Sequence, residues 1–113
     1  MRWPLPALLS CLLAACGHPQ SQRWEAVTID GQPASGFVLV TRGDDVVGGH
    51  DGCNGWGLAD QPGMIVSDAQ ECPPDPRRDA YWALATGGNA SHSRAKDRLI
   101  ARTPGHSAIF KRV

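Results

Sequence analysis

Apolar residues fall along the chain in short, separated runs. The first, Leu5 to Leu13, is interrupted only by Pro6, Ser10 and Cys11. Beyond residue 23 the runs are shorter and punctuated by glycine, proline and aspartate. Trp24-Glu25-Ala26-Val27-Thr28-Ile29 is rich in β-forming residues and stops at the turn dipeptide Asp30-Gly31, which predicts a strand. The continuous run over residues 36–41 predicts a well-buried strand, and residues 45–48 its return after a turn at Gly43-Asp44. The cluster Gly52-Cys53-Asn54-Gly55-Trp56-Gly57 predicts a tight, twisted loop, because glycine and asparagine tolerate positive φ. Residues 64–66 predict another short strand. One helix is signalled: Asp75 as cap, Pro76 at its first position and Gly87 at its end, with Ala80, Tyr81, Leu84 and Ala85 on one face. Residues 90–93 form a further candidate strand. Residues 99–102 and 107–111 predict a terminal hairpin around Pro104-Gly105. Many short strands with one helix make an antiparallel α+β domain.

The first run differs in kind from the rest. Its length suits the apolar segment of a signal peptide and falls well short of the ~20 residues a spanning helix needs. Leu13-Ala14-Ala15-Cys16 follows it and resembles the lipobox of bacterial lipoproteins. Small side chains admit the backbone to a protease cleft, and the Cys16 thiol is the nucleophile that takes a diacylglyceryl group as a thioether. The freed amine can then be acylated, for example with palmitate, and two or three chains anchor stably where one is marginal. The competing reading is an ordinary secretory signal with a cysteine at its end. Gly17 replaces the aspartate associated with inner-membrane retention, so the expected place is the periplasmic face of the bacterial cell envelope, at the outer membrane. The expected organisation is a signal peptide over 1–15, a lipidated cysteine and polar tether over 16–23, and one domain over 24–113.

The 113-residue chain carries 11 basic and 11 acidic residues. Removing residues 1–15 takes Arg2 with it and leaves the mature chain at −1, so net charge gives no case for nucleic acid as a partner. The distribution is more informative. Residues 24–75 hold nine acids and one base, Arg42, whereas residues 90–113 hold six bases and one acid, Asp97. Either the two halves attract each other within the fold, or the basic residues, Arg98, Arg102 and Arg112 among them, turn toward anionic lipid.

Cys11 leaves with the signal peptide and Cys16 is taken by lipid, which leaves Cys53 and Cys72. Two cysteines in an oxidising compartment favour a disulfide. A free thiol pair, or a metal or redox role, are the alternatives, although no Cys-x-x-Cys spacing supports the last. His50 and Asp51, with Asp44 and Asp45, offer ligands of the kind a divalent metal takes, but at no defined spacing, and neither a metal nor a cofactor is expected. His18, His92 and His106 read as scattered surface residues. The serines lack a nucleophile-elbow or lysine-dyad context, so no catalytic set is expected. Of the adjacent Tyr81 and Trp82, one is expected to pack and the other to face outward.

The order of these pieces resembles the META domain of HslJ-like heat-shock proteins. The resemblance covers residues 24–113. It begins at Trp24 and the Asp30-Gly31-Gln32-Pro33 turn, and is strongest at Gly52-Cys53-Asn54-Gly55-Trp56-Gly57, which is similar to the family's G-C-N-x-x-x-G signature through Gly52, Cys53, Asn54 and Gly57. It continues through Cys72, the Asp79-Ala80-Tyr81-Trp82-Ala83-Leu84 helix and a closing hairpin over residues 99–110. The family's T-x-M-A-C stretch is here Ser67-Asp68-Ala69-Gln70-Glu71-Cys72, without the threonine and methionine. The resemblance implies a partly closed, barrel-like sheet with one helix. It also implies a non-enzymatic binding or structural role in envelope stress or maintenance, with an envelope protein as partner. An alternative is a small inhibitor of an envelope hydrolase that presents the Cys53–Trp56 loop.

Overall fold

Trp24 and Ala26 lie two residues apart, and alternation sends both to the same face of a strand. The computed structural model, which describes residues 20–59 and 64–113, places them in β1 (Ser21–Ile29), where both are buried. Ile29 is also fully buried although it breaks the alternation. A β-bulge between Ala26 and Thr28 in the β1–β9 pairing supplies the extra residue that turns Ile29 inward. The leader, Cys16, His18 and the first part of the tether lie outside the described residues.

β1 begins earlier than the sequence pattern predicts. Ser21, Gln22 and Arg23 belong to the strand, opposite Arg42, Thr41 and Val40, rather than to the tether. Their polar side chains gave no strand signal. What extends the strand is the partner backbone, whose hydrogen-bonding groups pair with theirs.

The remaining strands are β2 (Gln32–Pro33), β3 (Phe37–Arg42), β4 (Asp45–Asp51), β5 (Gly55–Leu58), β6 (Ile65–Ser67), β7 (Ser91–Ala95), β8 (Arg98–Arg102) and β9 (Ser107–Arg112), with α1 (Pro76–Thr86) between β6 and β7. All pairings are antiparallel, in the order β6-β5-β4-β3-β1-β9-β8-β7, with β2 on the side of β1. The α+β class read from the sequence is therefore what the chain adopts. Among the described residues the ladder is an open path from β6 to β7. The sheet nonetheless curls: Arg94 on the far strand β7 donates to the Gly43 carbonyl in the β3–β4 turn. Asp30 and Gly31, with φ of 51° and 77°, form the tight β1–β2 turn, the two-positive-φ geometry that Asp-Gly favours.

One departure concerns the glycine-rich cluster. Only residues 52–54 are loop; Gly55 to Leu58 form β5, paired with β4 through Gly48 opposite Gly57. Glycine density read as a turn because glycine is poor in strands. Here it marks a close approach of two strands: a Cβ on Gly48 would lie 2.8 Å from the Trp56 carbonyl oxygen.

α1 has the ends that the sequence predicts. The Asp75 carboxylate accepts the Arg77 N–H at 2.9 Å, Pro76 occupies the first turn, and the Gly87 N–H returns to the Ala83 carbonyl. Its buried face is Ala80, Tyr81, Leu84 and Ala85. That face closes on Trp24, Ala26, Ile29, Phe37, Leu39, Trp56, Leu99, Ala101, Ala108 and Phe110 from the sheet to form one core. Asp75→Ala removes the cap acceptor and is expected to lower stability by about 1 kcal/mol, read as a shift of the urea midpoint with an unchanged slope. No loss would contradict the capping role.

Candidate functional site

The signature loop starts where β4 ends. Asp51 is buried, and one of its carboxylate oxygens accepts the N–H groups of Cys53 at 2.9 Å and Asn54 at 2.7 Å. This is the turn an aspartate makes with its own downstream backbone. The other oxygen accepts the Trp82 indole N–H from α1 at 3.0 Å. Burial favours the protonated acid, but the hydrogen bonds from Asn54, Cys53 and Trp82, and the nearby charge of Arg78, outweigh it. Asp51 therefore titrates below the ordinary carboxylate value.

Asn54 ties the loop to the chain that precedes α1. Its Oδ1 accepts the Gln70 N–H at 3.1 Å, and its Nδ2 donates to the Gln70 carbonyl at 3.1 Å and lies 3.3 Å from the Cys72 sulfur. Gly55 donates to the Asp68 carboxylate, and the Asp68 N–H to the Gly55 carbonyl. A Cys53–Cys72 disulfide, with Cα atoms 6.1 Å apart, makes the same connection covalently. Of the readings open for these two cysteines, the structure takes the disulfide. Gly57 stands beyond the loop, in β5.

Behind the loop lies an aromatic cluster. The Trp56 indole donates to the Tyr81 hydroxyl at 2.7 Å, and that hydroxyl donates to the Val38 carbonyl. The Trp56 and Trp82 rings are 4.9 Å apart, and those of Phe37 and Tyr81 5.8 Å. Burial pushes the Tyr81 phenol up, well above its ordinary value, so it stays protonated and serves as a hydrogen-bond bridge. Tyr81 is fully buried; Trp82 is half-buried and packs on the core.

The acidic and imidazole cluster read near this loop is divided by the fold. Asp44 and Asp45 sit at the β3–β4 turn, whereas His50 and Asp51 close the other end of β4, about 15–20 Å away at the rise of a strand. The His50 imidazole accepts the Gly52 N–H at 3.2 Å, and Asp51 is occupied as described. Among the described residues no group of three His, Cys, Asp or Glu side chains could hold a metal ion. His92 bonds the Leu84 carbonyl at 2.8 Å and His106 pairs with Asp30 at 2.7 Å, so both act as ties between elements rather than loose surface groups. Sequence reasoning took Asp51 for a candidate ligand and missed it as the hub of the loop. An aspartate two and three residues ahead of Cys53 and Asn54 was the available signal.

Attraction between the acidic and basic stretches is not realised as carboxylate–guanidinium pairing. Among the described residues the ion pairs within 4 Å are Arg77–Asp75 and His106–Asp30. None of the six bases over residues 90–113 takes part. Arg94 and Arg112 instead lie over the Trp24 ring, at 5.8 Å and 5.9 Å from its centroid.

Asp51 sets an acid limit. A carboxyl whose folded value is depressed adds stability that is present above its unfolded value, about 4, and is lost as pH falls through the folded value. Asp30 and Asp75, also lowered, act in the same direction. The urea midpoint is expected to hold from neutral pH to about pH 5 and fall below about pH 4. Asp51→Asn should start lower and fall less steeply; parallel curves down to full protonation would contradict the anchoring role.

No protein-family model, curated protein or solved structure matches this chain.

Proposed function

We propose that this chain is a lipid-anchored protein of the bacterial envelope whose META/HslJ-like domain binds or supports an envelope partner without catalysing a reaction. Cys16 carries the lipid, and the domain stands on the periplasmic face, at the outer membrane. The observation that supports this best is the use made of the signature loop. Asp51 is spent on the loop's own turn and on Trp82 of α1, and Asn54 and the Cys53–Cys72 disulfide on holding the loop to the chain before α1. A disulfide of this kind persists in the oxidising compartment to which the N-terminal leader would deliver the chain. The curl that brings β7 to the β3–β4 turn favours the partly closed sheet of that family. Trp56 is turned into the core behind Tyr81 and Trp82, which leaves the hydrolase-inhibitor alternative without its presented side chain. Among the described residues no helix is long and apolar enough to cross a membrane.

The test is fractionation of cells making the wild type or Cys16→Ser. Wild type should float with membranes after a high-salt wash, whereas Cys16→Ser should accumulate at precursor mass. Wild type in the soluble periplasmic fraction would overturn the anchor.

A further inference from the structure

Strand pairing sorts the charges by position. At the end of the sheet where β1 begins, Ser21 pairs with Arg42, and Arg112 at the close of β9 pairs with Trp24. β1 and β3 bring Arg23 and Arg42 to this end. The β7–β8 hairpin brings Arg94, Lys96 and Arg98, because Lys96 lies in its turn and Arg98 pairs with Lys111. β9 adds Lys111 and Arg112. Among the described residues four side-chain carboxylates stand against these seven cations, on Glu25, Asp44, Asp45 and Asp97. Glu25 reaches away, to the Gly36 N–H. Among the described residues none of the seven cations is within 4 Å of a carboxylate. The opposite end holds Asp30, Asp51, Glu71 and Asp75 beside Arg77, Arg78 and Arg102, so Arg102 does not share the end of Arg98 and Arg112, and the balance of charge among these residues reverses from one end to the other.

Two further features fall at the basic end. Leu58 and Ile65 form the last pair of the β5–β6 hairpin on this side, and with Met64 they are 49%, 42% and 48% exposed. The chain also enters here: Ser21 follows Cys16 by five residues, which at full extension span no more than ~18 Å. A lipid on Cys16 therefore keeps this end, and not the acidic one, close to the membrane.

We propose that the end of the sheet formed by Arg23, Arg42, the β7–β8 turn and the Lys111-Arg112 strand end docks on anionic phospholipid headgroups. The exposed Leu58, Met64 and Ile65 side chains meet the interfacial layer beside them. The inference rests on the anchor proposed above and adds an orientation to it. The domain is held upright with its acidic end, and the loop around Cys53, directed away from the bilayer. Attraction of this kind acts only within a Debye length, ~8–10 Å at physiological salt, so contact and mere tethering are separable.

Lys96 and Lys111 are the only lysines of the chain and both lie at this end, whereas His106 lies at the other. Diethylpyrocarbonate modifies amines and imidazoles, so one reagent reads both ends. The full lipidated protein is reconstituted into vesicles of phosphatidylcholine alone or mixed with phosphatidylglycerol, floated, labelled and mapped by mass. Docking predicts that Lys96 and Lys111 react at least roughly threefold more slowly on the anionic vesicles, that high salt restores the rates, and that His106 is unchanged. Arg23→Gln/Arg98→Gln should restore Lys111 labelling while His106 reports an intact fold. Equal lysine rates on both vesicles, or equal protection of His106, would overturn the docking. Failure to float on either vesicle would instead overturn the anchor.

Discussion

Replacing Cys53 and Cys72 together by serine is expected to cost about 3 kcal/mol, the chain-entropy value for a loop closed across 19 residues. A domain of this size has only about 5–15 kcal/mol in all, and the midpoint of thermal unfolding should fall by roughly 12–24 °C. The loop has a second set of ties in the Asn54–Gln70 pair and the Asp68–Gly55 pair. The reduced protein should therefore remain folded at room temperature, with the loss appearing in the unfolding midpoint. Equal midpoints for oxidised and reduced protein would show that the hydrogen bonds hold the loop alone. The same measurement bears on location, since a domain that depends on this bond is suited to an oxidising compartment.

Gly49→Ala is expected to be the most damaging added methyl among the described glycines. A Cβ at this position would lie 2.0 Å from the Val38 carbonyl oxygen and 2.4 Å from the Tyr81 hydroxyl. The first contact is backbone and cannot yield without parting β3 from β4; the second is the bridge on which the Trp56 indole depends. Overpacking a core typically costs about 1–3 kcal/mol. Here a further loss of about 1–3 kcal/mol follows if the buried Trp56 N–H is left without its acceptor. Gly88→Ala is the control, since nothing lies within 4 Å of its Cβ position, and it should be close to neutral. Comparable denaturant midpoints for the two variants would contradict the packing described between α1 and β4.

Those two positions also mark what the sequence could and could not convey. The helix was legible because every signal for it is local: Asp75, Pro76, the Ala80–Leu84 spacing and Gly87. The hairpins at Gly43-Asp44 and Pro104-Gly105 were legible for the same reason. Ser21–Arg23 was not, because its strand character comes from Val40–Arg42 across the sheet. The glycines of β5 misled because a residue chosen for close approach to a neighbouring strand has the same letter as one chosen for a turn. The bulge that turns Ile29 inward leaves no mark in composition. At the signature loop the residue types were visible, but Asp51 was read through its charge, when its hydrogen-bonding capacity is what the fold uses. The basic stretch was visible too. That five of its six cations gather at the end where the chain enters, with Arg102 at the other, is a property of strand register, which spacing along one chain does not reveal.

The protein proposed here is a disulfide-stapled domain on a lipidated cysteine. The intact mass of the protein extracted from membranes, alkylated before and after reduction, tests it most directly. The expected chain starts at Cys16, exceeds its polypeptide mass by acyl groups, takes no alkylating group before reduction and takes two after it. An unmodified chain, or one alkylated at Cys53 and Cys72 without reduction, would contradict it.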